Sequence, residues 1–208
     1  TLLKKTKSRF GDSVTAFEFI SPSCLIAIED NLEHIKLPLV CDNSWQIIFE
    51  VINHDEDSVS FFLQTQAEDG LIEDGLIAKN EKERNDFWLV RHSISEAEKL
   101  SGRGIHHDIS LPIKRIPEFL EKTIPAMEEV VGESIVYIFG HLGDGNLHYT
   151  KTQPKKMSGD DFMKFSDQIN AVVHEIAEGL GGSFSAEHGI GSKLKDDLVK
   201  FSDPIKID

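Results

Sequence analysis

Cysteine is scarce in this sequence, and positive charge is outnumbered by negative charge. The two cysteines, Cys24 and Cys41, stand outside any paired metal-binding spacing. We therefore expect no disulfide framework and a reducing compartment, either the cytoplasm or one like the mitochondrial matrix. With 22 Lys and Arg against 36 Asp and Glu, the formal net charge is −14, which argues against a nucleic-acid or anionic-membrane surface.

Long apolar runs are also missing, because none approaches the roughly 18–20 residues of a membrane span. We expect no transmembrane segment and, at most, a peripheral association with a membrane. No Gly-rich phosphate loop stands between a strand and a helix, so the sequence contains no flavin or nucleotide site of its own. The chain starts at Thr1 rather than Met and stops soon after Pro204, and we interpret both ends as cuts within a longer protein.

The residues that are present predict a globular protein of mixed structure. Apolar residues make up 39% and charged residues 28%, which is typical of a folded domain with a core. Periodicity and capping signals predict helices at residues 1–10, 22–32, 55–68, 81–100, 114–131 and 159–180. Strands are expected at residues 14–20, 45–52, 105–111 and 135–139, in the second arm of a hairpin after residue 145, and in short pieces after residue 70 and near residue 183.

The order of these elements decides the predicted architecture. Alternating strands and helices suit a parallel sheet, but a late hairpin and the polar face of the strand at 105–111 argue against it. We therefore predict an α+β fold, with a largely antiparallel sheet of ferredoxin-like modules and helices packed on one face. The halves 45–100 and 105–180 are interpreted as related modules of one domain that spans residues 1–208.

The residues of greatest chemical interest lie in the predicted hairpin at residues 139–149. Asp144-Gly145 is a strong signal for a two-residue type I′ turn, because both central positions of that turn need positive φ. Such a turn would pair His141 with His148, with their Cβ atoms about 4.5–5.5 Å apart on one face. Both imidazoles could then bind one metal ion, although a polar hairpin at a sheet edge explains the spacing equally well.

Two further features favour a metal site over a simple polar hairpin, namely the glycines around the histidines and a candidate acidic ligand. Gly140, Gly143 and Gly145 surround the two histidines, and glycine lets the backbone approach a ligand closely. A catalytic metal site usually has three protein ligands and one open position, so a third ligand is needed. Glu187 is the best candidate, since it lies in a similar loop at the end of a strand.

Two motifs in this order resemble a known family, and they read His141-x-Gly143-Asp144-Gly145-Asn146-x-His148 and Glu187-His188-Gly189-Ile190-Gly191. The family is the C-terminal domain of FAD-linked oxidases. This domain is the substrate-side part of D-lactate and D-2-hydroxyglutarate dehydrogenases and of the glycolate oxidase D subunit. The resemblance extends to Phe87-Trp88-x-x-Arg91 and to Asp108-Ile109-Ser110-Leu111-Pro112, so it covers nearly the whole chain.

The resemblance implies a metal-assisted oxidation. His141, His148 and Glu187 would bind a divalent metal, usually zinc, whose open position receives the 2-hydroxyl and carboxylate oxygens of a 2-hydroxy acid. The metal would lower the pKa of the hydroxyl, and His188 would be the general base that takes its proton. C2 would pass a hydride to the flavin N5, while Asn146 would hold the substrate by hydrogen bonds.

The same resemblance implies three further substrate-binding positions. Arg91 corresponds to the family's carboxylate clamp, and Ser95, one helical turn further on, could assist it. His106 stands where the family often has lysine, two residues before Asp108, and shares a face with that aspartate. A histidine is shorter and mostly neutral at pH 7, so this departure weakens the case for carboxylate binding at that position.

FAD is expected to be held mainly by an N-terminal domain of a different fold, so residues 1–208 alone should be catalytically silent. The expected partners are a small 2-hydroxy acid, such as D-lactate, D-2-hydroxyglutarate or glycolate, and a separate electron acceptor. Two alternatives stay open. One is a metal-dependent hydrolase that activates water with two histidines and a glutamate. The other is a non-catalytic module that binds hydroxy acids.

Overall fold

The computed structural model describes residues 1–187 and residue 189. These residues contain seven α-helices and five strands with antiparallel pairings, which confirms the predicted α+β class. The chain divides into two compact units. The first unit comprises residues 1–102 and 138–143, and the second comprises residues 103–137 and those from 144 onward. The first unit therefore extends beyond the predicted module at 45–100.

The bounds of most elements agree with the prediction to within two residues. The helices are α1 (Leu2–Phe10), α2 (Pro22–Asn31), α3 (Glu56–Glu68), α4 (Glu81–Leu100), α5 (Ile116–Val131), α6 (Gly159–Met163) and α7 (Ser166–Gly179). The strands are β1 (Val14–Ile20), β2 (Gln46–Val51), β3 (Gly104–Ser110), β4 (Val136–His141) and β5 (Asn146–Thr152). Among the described residues, no helix has both the length and the apolar character to span a bilayer.

In the first unit, β1 is the central strand, with β2 on one side and β4 on the other. Residues 17–20 of β1 are all buried, so the strand is covered on both faces. Phe17 stacks on Phe49 of β2 with 5.8 Å between ring centroids, and α2 packs against α4. The pairing of β1 with β4 places Glu18 opposite His141. This register brings a buried carboxylate beside a predicted metal ligand.

In the second unit, β3 and β5 pair along their whole length, from Gly104 opposite Thr152 to Ser110 opposite Asn146. The predicted alternation of β3 is confirmed, because its apolar positions are buried and His106 is exposed. Phe119 of α5 packs edge to face against Tyr149 of β5, with 5.6 Å between ring centroids, in a core to which α5 and α7 both contribute. The polar face of β3, which carries His106 and Asp108, lies on the other side of the strand from this core.

The turn between β4 and β5 is wider than the prediction. Four residues, 142–145, separate the strands, and of Asp144 and Gly145 only the glycine has positive φ, at 83°. The predicted type I′ turn is therefore wrong, and the pairing of His141 with His148 that was inferred from it loses its basis. The Asp144 side chain accepts a hydrogen bond from the Asn146 N–H at 3.1 Å, as in other aspartate-stabilised turns.

Gly145 is required by its surroundings as well as by its φ. The Leu111 N–H donates to the Gly145 carbonyl at 2.9 Å, which draws the chain after β3 onto the turn. A Cβ atom at position 145 would lie 2.1 Å from the Leu111 carbonyl oxygen, a distance at which the backbone would have to move. The glycine thus permits the close approach that holds the turn against the end of β3.

Two other predicted elements differ from the structure. The long helix at 159–180 is broken into α6 and α7 because the N–H groups of Lys164 and Phe165 bond to carbonyls three residues back, which closes α6 in a tight turn. Residues 69–77 form turns and irregular chain, so the strand predicted there is wrong. The short strand near residue 183 is reduced to one bridge between Ser183 and Ser110.

A buried histidine of the second unit gives this fold a pH dependence. His107 is 5% exposed, its Nδ1 lies 3.1 Å from the Tyr149 carbonyl oxygen, and its Nε2 lies 3.0 Å from the side-chain amide of Asn170. The ring of His174 meets it edge to face at 5.6 Å. Burial, with a smaller contribution from His174, lowers the pKa of His107 from 6.5 to about 4.

We expect the free energy of unfolding to fall as the pH drops from 6.5 to 4. In this window the unfolded chain binds a proton at His107 that the folded chain excludes, so the loss reaches roughly 3 kcal/mol. Urea titrations at several pH values measure it. His107→Gln should flatten the curve in this window, whereas His34→Gln, at an exposed position, should leave its slope unchanged. An equally steep curve for His107→Gln would show that another group is responsible.

Candidate active site

Three side chains of the first unit form a connected cluster, which we call the Glu18 cluster: Glu18, Arg91 and His141. Glu18 Oε2 accepts a hydrogen bond from Arg91 Nε at 2.8 Å, and Glu18 Oε1 lies 2.5 Å from His141 Nδ1. The register of β1 with β4 supplies the histidine, and α4 supplies the arginine. Each carboxylate oxygen therefore has its own cationic or N–H partner.

The Glu18 cluster is mostly removed from water. Glu18 is 3% and Arg91 8% exposed, and the Arg91 guanidinium also lies 4.6 Å from the centroid of the Phe139 ring. Burying a charge is unfavourable unless an opposite charge and hydrogen bonds compensate it, and these two groups compensate each other. Arg91 is therefore part of a buried network rather than a solvated helix arginine.

The contact with Glu18 decides which nitrogen of His141 carries the proton. A carboxylate accepts hydrogen bonds, so Nδ1 is the protonated nitrogen in this contact. Nε2 then keeps its lone pair, which is what a metal ligand needs. Metal-binding histidines commonly donate their second ring N–H to a carboxylate in this way.

A second group of side chains lies in the second unit around Asp108. His148 stands opposite Asp108 in the β3–β5 register, with 3.7 Å between His148 Nδ1 and Asp108 Oδ1, which is an electrostatic contact longer than a hydrogen bond. The Glu187 N–H donates to Asp108 Oδ2 at 2.9 Å, and the Ala186 N–H donates to the Asp108 carbonyl at 3.0 Å. Asp108 therefore holds the segment that carries Glu187 beside the strand that carries His148.

Asn146 is the most unusual polar side chain of the second unit. It is 3% exposed, and neither its amide oxygen nor its amide nitrogen has a hydrogen-bond partner among the described residues. A buried amide in that state costs about 1–3 kcal/mol, so proteins rarely keep one without a reason. Donor and acceptor together suit the carboxylate and hydroxyl groups of a hydroxy acid.

The other predicted site residues have different surroundings. Ser95 is exposed although it lies one turn after the buried Arg91 on α4. His106 is exposed, and its Nδ1 lies 3.0 Å from the Oγ1 of Thr150, which stands opposite it on β5. His188, the predicted general base, lies outside the described residues.

Glu18 was not predicted as a site residue, although a signal for it was available. It interrupts an otherwise apolar run, Ala16-Phe17-Glu18-Phe19-Ile20, inside a strand. Carboxylates are almost never fully buried unless they are paired, so an acid in such a run indicates a partner. Sequence periodicity cannot identify His141 as a partner of Glu18, because the two residues are 123 positions apart in the chain.

Comparison with known proteins identifies the family of the chain. The family model described as FAD linked oxidases, C-terminal domain, matches residues 2–208. The chain therefore belongs to the FAD-linked oxidase C-terminal domain family, as the motifs around the two histidines predicted.

Individual relatives carry a more specific name. The chain is 32% identical to a protein of Oryza sativa subsp. indica named "Probable D-2-hydroxyglutarate dehydrogenase, mitochondrial", over 97% of this chain and 35% of that protein. It is 28% identical to D-2-hydroxyglutarate dehydrogenase, mitochondrial, of Arabidopsis thaliana, over 98% of this chain and 36% of that protein. It is 29% identical to D-2-hydroxyglutarate dehydrogenase of Stutzerimonas stutzeri (strain A1501), over 94% of this chain and 42% of that protein. The chain thus spans between a third and a half of the length of these relatives.

Proposed function

We propose that residues 1–208 are the substrate- and metal-binding part of an FAD-dependent D-2-hydroxy acid dehydrogenase. The reaction removes the hydroxyl proton and the C2 hydride from the hydroxy acid and leaves a 2-oxo acid, with the hydride passing to FAD. D-2-hydroxyglutarate is the first substrate to test, because the relatives named above are D-2-hydroxyglutarate dehydrogenases. The observation that carries the proposal is that each predicted histidine ligand faces a carboxylate of its own unit.

The metal is proposed to be zinc, held by His141, His148 and Glu187. Two imidazoles and one carboxylate suit zinc and leave one coordination position for substrate. When bound, a divalent metal supplies Lewis acidity that makes a coordinated hydroxyl easier to deprotonate.

Other residues of this chain would bind the substrate and remove its hydroxyl proton. His188 takes the hydroxyl proton, which a neutral imidazole can do near pH 7. Asn146 binds the substrate with its buried amide, and Arg91 binds a carboxylate with the guanidinium edge that does not face Glu18. Ser95 and His106 would make weaker contacts with the substrate, since both side chains are exposed to solvent.

FAD is proposed to be bound mainly by a part of the protein outside residues 1–208. A separate acceptor, of a kind that these residues do not identify, would reoxidise it. Two free thiols, Cys24 and Cys41, fit a reducing compartment such as the mitochondrial matrix or the bacterial cytoplasm.

The proposal is tested with the complete protein that carries this chain. Reduction of a dye is measured with D-2-hydroxyglutarate, D-lactate and glycolate, and residues 1–208 with added FAD serve as the control that should be silent. Turnover of one of these acids by the complete protein supports the proposal. Hydrolysis of an ester or amide by residues 1–208 would instead favour a hydrolase, and binding of the acids without turnover would favour a binding module.

Asn146→Ala should separate substrate binding from stability. We expect kcat/KM to fall by about 10- to 100-fold, the equivalent of one hydrogen bond to a charged substrate. The midpoint of urea unfolding should not fall, because the side chain makes no hydrogen bond to the described residues and its unpaired burial is itself unfavourable.

Asn31→Ala is the matched control for this substitution. Its side-chain amide donates to the Ala27 carbonyl at 2.8 Å and to the Ser101 hydroxyl at 3.1 Å. We therefore expect it to lower stability by about 1 kcal/mol and to leave kcat/KM unchanged. The opposite pattern, a stability loss with normal kcat/KM for Asn146→Ala, would assign Asn146 to the fold alone.

A further inference from the structure

We propose that Glu18 is a positioning residue of the metal site, which fixes the ring orientation and the tautomer of His141 and at the same time holds Arg91. The inference rests on the proposed function, since it needs His141 to be a ligand. Glu18 would touch neither the metal nor the substrate. Its effect would pass through the two side chains that it contacts.

The first argument is that the two carboxylate oxygens of Glu18 have different partners. Oε1 faces His141 Nδ1 at 2.5 Å and Oε2 faces Arg91 Nε at 2.8 Å, so one rigid group fixes the orientation of both. A counter-ion for Arg91 alone would be free to direct both oxygens to the guanidinium, as bidentate pairs do. Here one oxygen is turned to the histidine instead. The contact also lies on a buried central strand, where Glu18 has little freedom to move.

The second argument is that only a carboxylate can satisfy both partners. Arg91 Nε carries a hydrogen and is always a donor, and His141 Nδ1 must be a donor if Nε2 is to bind a metal. A glutamine at position 18 has one acceptor oxygen and one donor NH2 group. If its oxygen stays with Arg91, its NH2 group faces His141 and requires an unprotonated Nδ1. The proton of the neutral imidazole then moves to Nε2 and blocks the metal-binding lone pair.

A matched control exists in the same unit. Glu50 on β2 also holds two α4 side chains, because its Oε1 accepts from Arg84 Nε and from Trp88 Nε1, the latter at 2.9 Å. Like Glu18, it is a strand carboxylate bound to an arginine and to a ring N–H. Within the described part of the chain, its side-chain hydrogen bonds go to these two residues and to no predicted ligand. Glu50→Gln therefore removes the charge of a strand carboxylate paired in the same way, at a more exposed position and without the proposed effect on the metal.

The experiment measures the zinc affinity of the complete protein by competition with a chromogenic chelator. Glu18→Gln should bind zinc about 10- to 100-fold more weakly than the wild type, which is typical for the loss of a carboxylate behind a metal-binding histidine. Glu50→Gln should stay within about threefold, because it leaves the contact between Glu18 and His141 in place. Arg91→Met should instead raise KM for the hydroxy acid.

Two outcomes would overturn the inference. Zinc affinity of Glu18→Gln within about threefold of the wild type would leave Glu18 as the counter-ion of Arg91 alone. An equal loss in Glu50→Gln would make the effect one of general stability. If the proposed metal site itself is wrong, His141→Ala would keep its zinc. This result separates a failure of the proposed function from a failure of the role of Glu18.

Should Glu18→Gln not fold, as judged by circular dichroism, Glu18→Asp gives the same decision. Aspartate keeps the charge beside Arg91 but is one methylene shorter, so it cannot reach both partners of Glu18 from the same backbone position. We expect zinc binding weakened by about tenfold in this variant, and unchanged binding would refute the positioning role.

Discussion

His141→Ala is expected to remove zinc from the complete protein. The substitution deletes one of three proposed ligands, and zinc affinity should fall by more than the roughly 10- to 100-fold that is typical for the loss of a residue behind a ligand. Dehydrogenase activity should fall with it, since the hydroxyl of the substrate would lose its Lewis acid. Elemental analysis after dialysis, before and after the substitution, measures the occupancy.

His34→Ala is the control for this experiment, because His34 is exposed and has no part in the proposed site. It should retain both zinc and activity. Unchanged zinc occupancy in His141→Ala would remove His141 as a ligand, and with it the proposed metal site. Loss of zinc with full activity would keep the ligand but assign the metal a structural role.

Arg91→Met is expected to have the second-largest effect. Loss of the proposed charge-assisted contact to the substrate carboxylate should lower kcat/KM by about 10- to 100-fold, mainly through KM, because such contacts contribute about 1.5–3 kcal/mol. The substitution also leaves the buried carboxylate of Glu18 without its cation, which should lower stability by about 3–5 kcal/mol. Steady-state kinetics and urea unfolding measure the two effects separately.

Arg84→Met provides the matched comparison on the same helix. Arg84 also pairs with a strand glutamate, but its side chain is 52% exposed, so the loss in stability should stay below about 1 kcal/mol. Its kcat/KM should remain normal. If Arg91→Met lost stability but kept its kcat/KM, Arg91 would be only the partner of Glu18 and not a substrate clamp.

Local patterns in the sequence were sufficient for most of the secondary structure. The alternation of Ile105, His107 and Ile109 predicted the buried face of β3, because side chains alternate between the faces of any strand. Asp55 predicted the start of α3, and its side chain does accept a hydrogen bond from the Ser58 N–H at 2.8 Å. Such signals act between residues that are close in the chain, so they can be read without the fold.

The turn between β4 and β5 shows where local signals end. Asp144-Gly145 is compatible with both a two-residue and a four-residue connection, and the choice depends on what packs against it. Leu111, more than thirty residues earlier, donates to the Gly145 carbonyl and holds the wider turn in place. The motif predicted the strands of the hairpin but not the width of its turn, because the width depends on a contact from outside the hairpin.

The candidate site divides in the same way. The sequence by itself determined the family and the candidate ligands, since the two motifs contain the chemically specific residues side by side. Only the tertiary structure decided that Glu18 faces His141 and Arg91, because strand register and helix packing bring together residues separated by 123 and 73 positions. An acid inside an apolar strand indicates from the sequence that the carboxylate needs partners, because a buried charge must be paired. Which residues become those partners depends on the fold.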